Sequence, residues 1–205
     1  MVGQAIFYRD SEISPMAMRM RLLRWKKTFG DIYFTYGEFD DDFYEDSMEQ
    51  LLKVVQICQE DPVESKKPAL LYMQSACLVS LGRINYALGI YGKAELYFGK
   101  DKEICERLGD DEGLVLTCLN MSMCQNKRYK FDDSIRTLRD QRKIIDRTSQ
   151  GCPDRARLLA ENKSRIKSVE NDKNTYQCID TQVRTFFNSP KNLKHYLTNK
   201  PIFDT

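Results

Sequence analysis

Histidine is almost absent from this chain. A single one, His195, stands near the C-terminal end of 205 residues, so catalytic triads that need an imidazole base and histidine-rich zinc sites have almost nothing to be built from. Seven cysteines are present, yet no two form a C-x-x-C pair, which excludes zinc-ribbon and thioredoxin-type spacing. No G-x-G-x-x-G, Walker, G-x-S-x-G or H-E-x-x-H motif occurs. Catalysis therefore has no foothold in the sequence, and the expectation is a non-enzymatic protein with no cofactor and no bound metal. No stretch approaches 18 uninterrupted apolar residues, and the opening MVGQAIFYRDS lacks the basic start and apolar core of a signal peptide. Neither a membrane span nor secretion is expected, and the thiols are read as reduced and intracellular. An excess of one charge is missing too. Lys and Arg number 32 against 30 Asp and Glu, a net +2, far from the balance of a protein that binds by neutralising phosphates, so nucleic acid is not the expected partner.

Proline is missing from residues 69 to 152, a region rich in Ala, Leu, Lys, Glu and Met, and that composition predicts helices. Ser14-Pro15 has the form of a helix cap followed by proline at the first helical position. Pro62 and Pro68 bracket the polar stretch DPVESKKP, and Gly151-Cys152-Pro153 marks a second break.

The chain also resembles itself. Three segments align from Tyr44 (YEDSMEQLLKVVQIC), Tyr91 (YGKAELYFGKDKEIC) and Phe131 (FDDSIRTLRDQRKII). Each begins with an aromatic residue, has a small fourth residue (Ser47, Ala94, Ser134) and a bulky eighth (Leu51, Phe98, Leu138), and carries Ile at the fourteenth (Ile57, Ile104, Ile144). Upstream of each lies a bulky residue followed at once by a small one: Phe29-Gly30, Leu81-Gly82 and Met121-Ser122. The unit reads as a helix hairpin whose small residues let the two helices approach closely and whose apolar face needs a neighbouring hairpin to cover it. A degenerate fourth hairpin is expected from RARLLAENKSRI (155–166) and YQCIDTQVRTFF (176–187).

This pattern resembles the tetratricopeptide repeat (TPR), best in Leu78, Leu81-Gly82, Leu88-Gly89, Tyr91, Ala94 and Phe98. The spacing of 40 residues from Tyr91 to Phe131 exceeds the family's usual 34. Lengthened units ending like Ile104 to Gly113 look like those of the Pins/LGN cortical adaptors, rapsyn and Tonsoku, and Asn120-Met121-Ser122 resembles the Asn-Leu-Gly triplet of the first of these. The resemblance implies an all-α fold, an α-solenoid of antiparallel helix hairpins forming a TPR-like superhelix. Residues 1–15 are then an N-terminal segment, 16–188 the repeat domain (16–61, 68–110, 112–150 and the degenerate 154–188), and 189–205 a tail.

It further implies a concave groove lined by first helices. Carrying the family's offsets across places Arg24, Lys27, Asp31 and Phe34 of the first copy there, with Arg83 and Tyr86 of the second, Asn120, Met123 and Lys127 of the third, and Asn162 and Arg165 of the fourth. Such a groove suits a partner peptide with apolar anchors and acidic residues, and the implied role is a scaffold or adaptor. A chaperone-type carboxylate clamp is not expected, because Asp31 and Ser80 stand where it needs asparagines. The implied setting is the cytoplasm, at the cell cortex or cytoskeleton. The alternative is a chromatin- or replication-associated adaptor of the Tonsoku kind in the nucleus.

Three further features are read as ordinary parts of such an array. RMRLLRWKK (19–27) is taken as the first repeat helix, with Leu22, Leu23 and Trp25 partly buried. The acidic run from Glu38 to Asp46 is a solvated loop that lacks calcium-site spacing. Apolar surface left at one end of a cut array would promote self-association.

Overall fold

A computed structural model describes residues 15–37, 42–60, 66–148 and 154–188. The N-terminal segment before Pro15, residues 38–41 of the acidic run, the stretches around Pro62 and Gly151, and the tail after Asn188 lie outside them, while the rest of that run, Asp42 to Asp46, is not the expected loop but the start of a helix, with Tyr44 buried. All seven elements among the described residues are helices: α1 (Pro15–Gly37), α2 (Asp42–Gln59), α3 (Pro68–Ala87), α4 (Tyr91–Leu108), α5 (Asp111–Lys127), α6 (Phe131–Thr148) and α7 (Arg155–Asn188). None is long and apolar enough to cross a membrane. The chain divides into two compact units, one up to Arg128 and one from Tyr129 onward.

Local chemistry sets the helix boundaries. Pro68 opens α3 at the position where a missing N–H costs nothing. Gly109 ends α4 in the left-handed region (φ 66°), letting the Asp110 N–H return to the Cys105 carbonyl at 2.9 Å. Asp110 then caps α5 by accepting from the Gly113 N–H at 2.8 Å. The turns after α3 and α5 share one backbone form forty residues apart. Gly89 has φ 72° and Tyr129 φ 59°, and each is followed by the same i to i−4 bond, Ala94 to Ile90 and Ser134 to Lys130.

In the first unit each helix packs on its sequence neighbours, and α1 also touches α3. Helix directions follow from paired contacts. Gly82 faces Phe98 while Ser75 reaches Asp101, so α3 and α4 are antiparallel. Thr117 reaches Asp101 while Gln125 reaches Glu95, so α4 and α5 are antiparallel too. The repeat positions are the packing positions. Ser47, Ala94 and Ser134 are fully buried, as are Leu51, Phe98 and Leu138; at the fourteenth position Ile104 and Ile144 are buried and Ile57 is only partly covered. The small residues act as expected: a Cβ on Gly30 would lie 2.8 Å from Leu51 Cγ, and one on Gly82 would lie 2.5 Å from Phe98 Cε1. Ser47 Oγ in addition donates to the Gly30 carbonyl at 2.7 Å.

The second unit is α6 packed antiparallel on α7, Asp132 meeting Lys173 while Leu138 and Gln141 meet Asn162. Here the structure corrects the sequence. In place of a fourth hairpin there is one 34-residue helix. No Gly or Pro interrupts residues 155–188, and the poor helix formers between the two expected helices, Ser168, Asn171, Asp172, Asn174 and Thr175, each cost at most about 0.7 kcal/mol relative to Ala, too little to force a break.

Candidate functional site

Four of the residues placed in the groove share one cavity. Arg83 and Tyr86 of α3, Asn120 and Met123 of α5 and Phe98 of α4 line a space of about 210 Å³ in the first unit. The sequence pattern explains the convergence. Arg83 directly follows Gly82, whose missing side chain admits the Phe98 ring as the cavity floor. On α5, Leu116, Asn120, Met123 and Lys127 recur at steps of four, three and four and so share one face. Leu116, 62% exposed, adds an apolar side chain to this face. Tyr86 stands edge-on to Tyr91 with ring centroids 5.2 Å apart, and burial, then Tyr91, pushes its hydroxyl above the usual value. Lys127 is exposed at the end of α5 and is not among the cavity's lining residues.

The first-copy residues do different work. Lys27 Nζ lies 2.5 Å from Asp31 Oδ2, and Asp31 Oδ1 accepts from Ser80 Oγ at 3.3 Å. Asp31 thus ties α1 to α3 and neutralises Lys27 from within, so this pair offers a ligand little net charge. Arg24 lines a second space, about 470 Å³, with Arg21, Trp25, Thr28 and Ile32, all on α1. The reading of RMRLLRWKK needs correction at two positions. Leu23 is fully buried, but Leu22 is 53% and Trp25 67% exposed. Consecutive helical residues are 100° apart, and a helix with one contact face cannot bury all three. Phe34 lies within α1, with its side chain outside the described set.

Asn162 is also corrected. Its Nδ2 donates to the Leu138 carbonyl and to Gln141 Oε1, both at 2.8 Å, so it is a buried packing residue under α6 and has no surface to offer a peptide. Asn162 sits on the α7 face that also carries Ile166 and Val169, and both of those pack against α6. Arg165 is exposed on the same helix.

Sequence reasoning missed a buried carboxylate. Asp101 of α4 is 1% exposed and accepts from Ser75 Oγ of α3 at 2.6 Å, from Thr117 Oγ1 of α5, and from Cys105 Sγ at 3.8 Å. Desolvation holds its pKa above the usual carboxylate value, against the lowering effect of these donors. Its signal was present but unspecific: an Asp ten residues after the aromatic that opens the repeat reads as surface until α3 and α5 close over it. The Cys77, Cys105 and Cys124 thiols are pushed up to about 12, chiefly by burial. Among the described residues no group of three or more His, Cys, Asp or Glu is placed to hold a metal ion.

No family model matches the chain, and no curated protein matches it.

Proposed function

We propose that this chain is a non-enzymatic protein-interaction module of TPR-like helix hairpins, holding a peptide segment of a partner protein on the α3–α5 face of its first unit. The cavity carries the reading. Offsets that mark ligand-facing positions in the repeat family select Arg83, Tyr86, Asn120 and Met123, and these four line one space over Phe98. Its 210 Å³ falls below the roughly 300–1,000 Å³ of small-molecule sites and equals about seven water volumes at ~30 Å³ each. That suits one apolar side chain of a peptide, with Arg83 and Lys127 to meet neighbouring carboxylates and Asn120 to meet its backbone. The close approaches at Gly30 and Gly82 and the matched turns at Gly89 and Tyr129 support the hairpin repeat. An adaptor or scaffold role follows from a site that recognises and does not transform.

The test is a library of fluorescent peptides carrying acidic residues around one apolar anchor, selected on the intact chain. Arg83→Glu combined with Lys127→Glu is expected to weaken the selected binders by about 2 kcal/mol, roughly 30-fold, with far-UV circular dichroism unchanged. Unaltered affinity in the double variant would refute the site.

A further inference from the structure

We infer that the anchor held over Phe98 is a phenyl ring, so that the partner is a protein segment presenting a phenylalanine among acidic residues. This deepens the peptide-binding reading and rests on it. Size permits a ring: the space measures about 210 Å³, and an apolar cavity of roughly 150 Å³ is enough to hold benzene. Size alone does not choose, since an aliphatic side chain of similar area gains as much from leaving water.

The lining does choose. Around the space stand two rings, Tyr86 and Phe98, a thioether, Met123, and a guanidinium, Arg83, with the Asn120 amide beside them. Each of the first four has a specific attraction for a π system. Rings pair with a further ring edge-on or offset, and Tyr86 already holds one such contact, with Tyr91 at 5.2 Å between centroids. Divalent sulfur is drawn to the edge of a ring. A guanidinium stacks its flat face on a ring while its N–H groups point outward in its own plane. Arg83 can therefore serve both parts of the peptide, its face covering the anchor and its edge meeting a neighbouring carboxylate. Each contact of this kind is worth roughly two- to tenfold in affinity, and a leucine anchor would gain none of them.

Polarity falls with depth. Arg83 and Met123 are exposed, Tyr86 and Asn120 half-buried, and Phe98 buried, so an anchor entering from solvent passes the polar groups first and ends against a hydrocarbon ring. Its para position stops there. A tyrosine would bring its hydroxyl to Phe98, which has no hydrogen-bonding group, and would lose water without replacement. The walls thus select phenylalanine over leucine, and the floor selects it over tyrosine.

Four fluorescent peptides, identical but for the anchor, test the inference when titrated onto the intact chain by anisotropy. The anchors are phenylalanine, cyclohexylalanine, leucine and tyrosine, each flanked by glutamates. Cyclohexylalanine keeps the size of the ring and is more apolar, but has no π system. The phenylalanine peptide is expected to bind roughly tenfold more tightly than the cyclohexylalanine and leucine peptides, and at least about fivefold more tightly than the tyrosine peptide. Met123→Leu, a change of nearly equal volume at an exposed position, should narrow the gap between phenylalanine and cyclohexylalanine by about twofold or more, with far-UV circular dichroism unchanged. A cyclohexylalanine, leucine or tyrosine peptide that binds as tightly as the phenylalanine one would overturn the inference and leave the peptide site standing. A gap untouched by Met123→Leu would place the ring elsewhere and overturn it too. If no anchor supports binding, the peptide site itself falls and the inference with it.

Discussion

Adding one methyl group at Gly82 tests the packing that shapes the candidate site. A Cβ there would lie 2.5 Å from Phe98 Cε1, 2.6 Å from Cζ and 2.9 Å from Cδ1, where carbon atoms prefer about 3.5–4.0 Å. The ring must therefore retreat by about 1 Å. It has little room, being 2% exposed and packed with Ala94 and Cys124 and against Tyr86 and Met121. Overpacking of this kind costs about 1–3 kcal/mol, offset by the ~0.5–1 kcal/mol that Ala gains over Gly inside a helix. Gly82→Ala should then be destabilised by up to about 2.5 kcal/mol. Gly99, one residue beyond Phe98 in α4, is the control, since a Cβ there meets nothing within 4 Å. Gly99→Ala should gain the propensity term alone, about 0.5–1 kcal/mol. Urea unfolding of both variants, followed by circular dichroism, measures the difference. A Gly82→Ala chain as stable as Gly99→Ala would refute the claim that glycine is required for close approach of α3 and α4. Because Phe98 floors the cavity, Gly82→Ala should also weaken any peptide selected on the wild type.

Two more outcomes follow from buried titratable groups. Asp101 is held above its ordinary value of 3.8 by desolvation, so the folded state binds its proton more tightly than the unfolded chain does. The stability it contributes is fully present below the unfolded value and is lost as pH rises through the raised folded one. Asp101→Asn should accordingly be at least as stable as wild type at neutral pH, and wild type should gain on it as pH falls toward 3.8. A wild type that instead loses ground to the Asn variant on acidification would contradict the assignment. Among the described cysteines only Cys178 is exposed, while Cys58, Cys77, Cys105, Cys118 and Cys124 are buried. With three of the buried thiols at about 12, brief maleimide treatment at neutral pH followed by peptide mass mapping should modify Cys178 and spare those five until the chain is unfolded.

Much of the fold is legible in the residues because helix formation and hairpin packing are local. The aligned small and bulky positions, Ser47 with Leu51 and Ala94 with Phe98, are the buried ones, and Pro68 and Gly109 begin and end helices where their backbone constraints demand. The α3–α5 cavity was half legible. Offsets named four of its lining residues but not its floor, because Phe98 reads as a packing residue of its own repeat.

By itself, then, the sequence determined where helices run and which side of each is apolar, since both depend on propensity and on a period of 3.6 residues. Tertiary structure alone decided which apolar side finds a cover and which polar group finds a partner, since these depend on neighbours many residues away. Trp25 stays exposed because the core of α1 to α3 takes Leu23. Asp31, still 43% exposed, ties α1 to α3 because Ser80 lies opposite it. Asp101 becomes buried because α3 and α5 both close on α4. Asn162 leaves the groove because α6 packs over it.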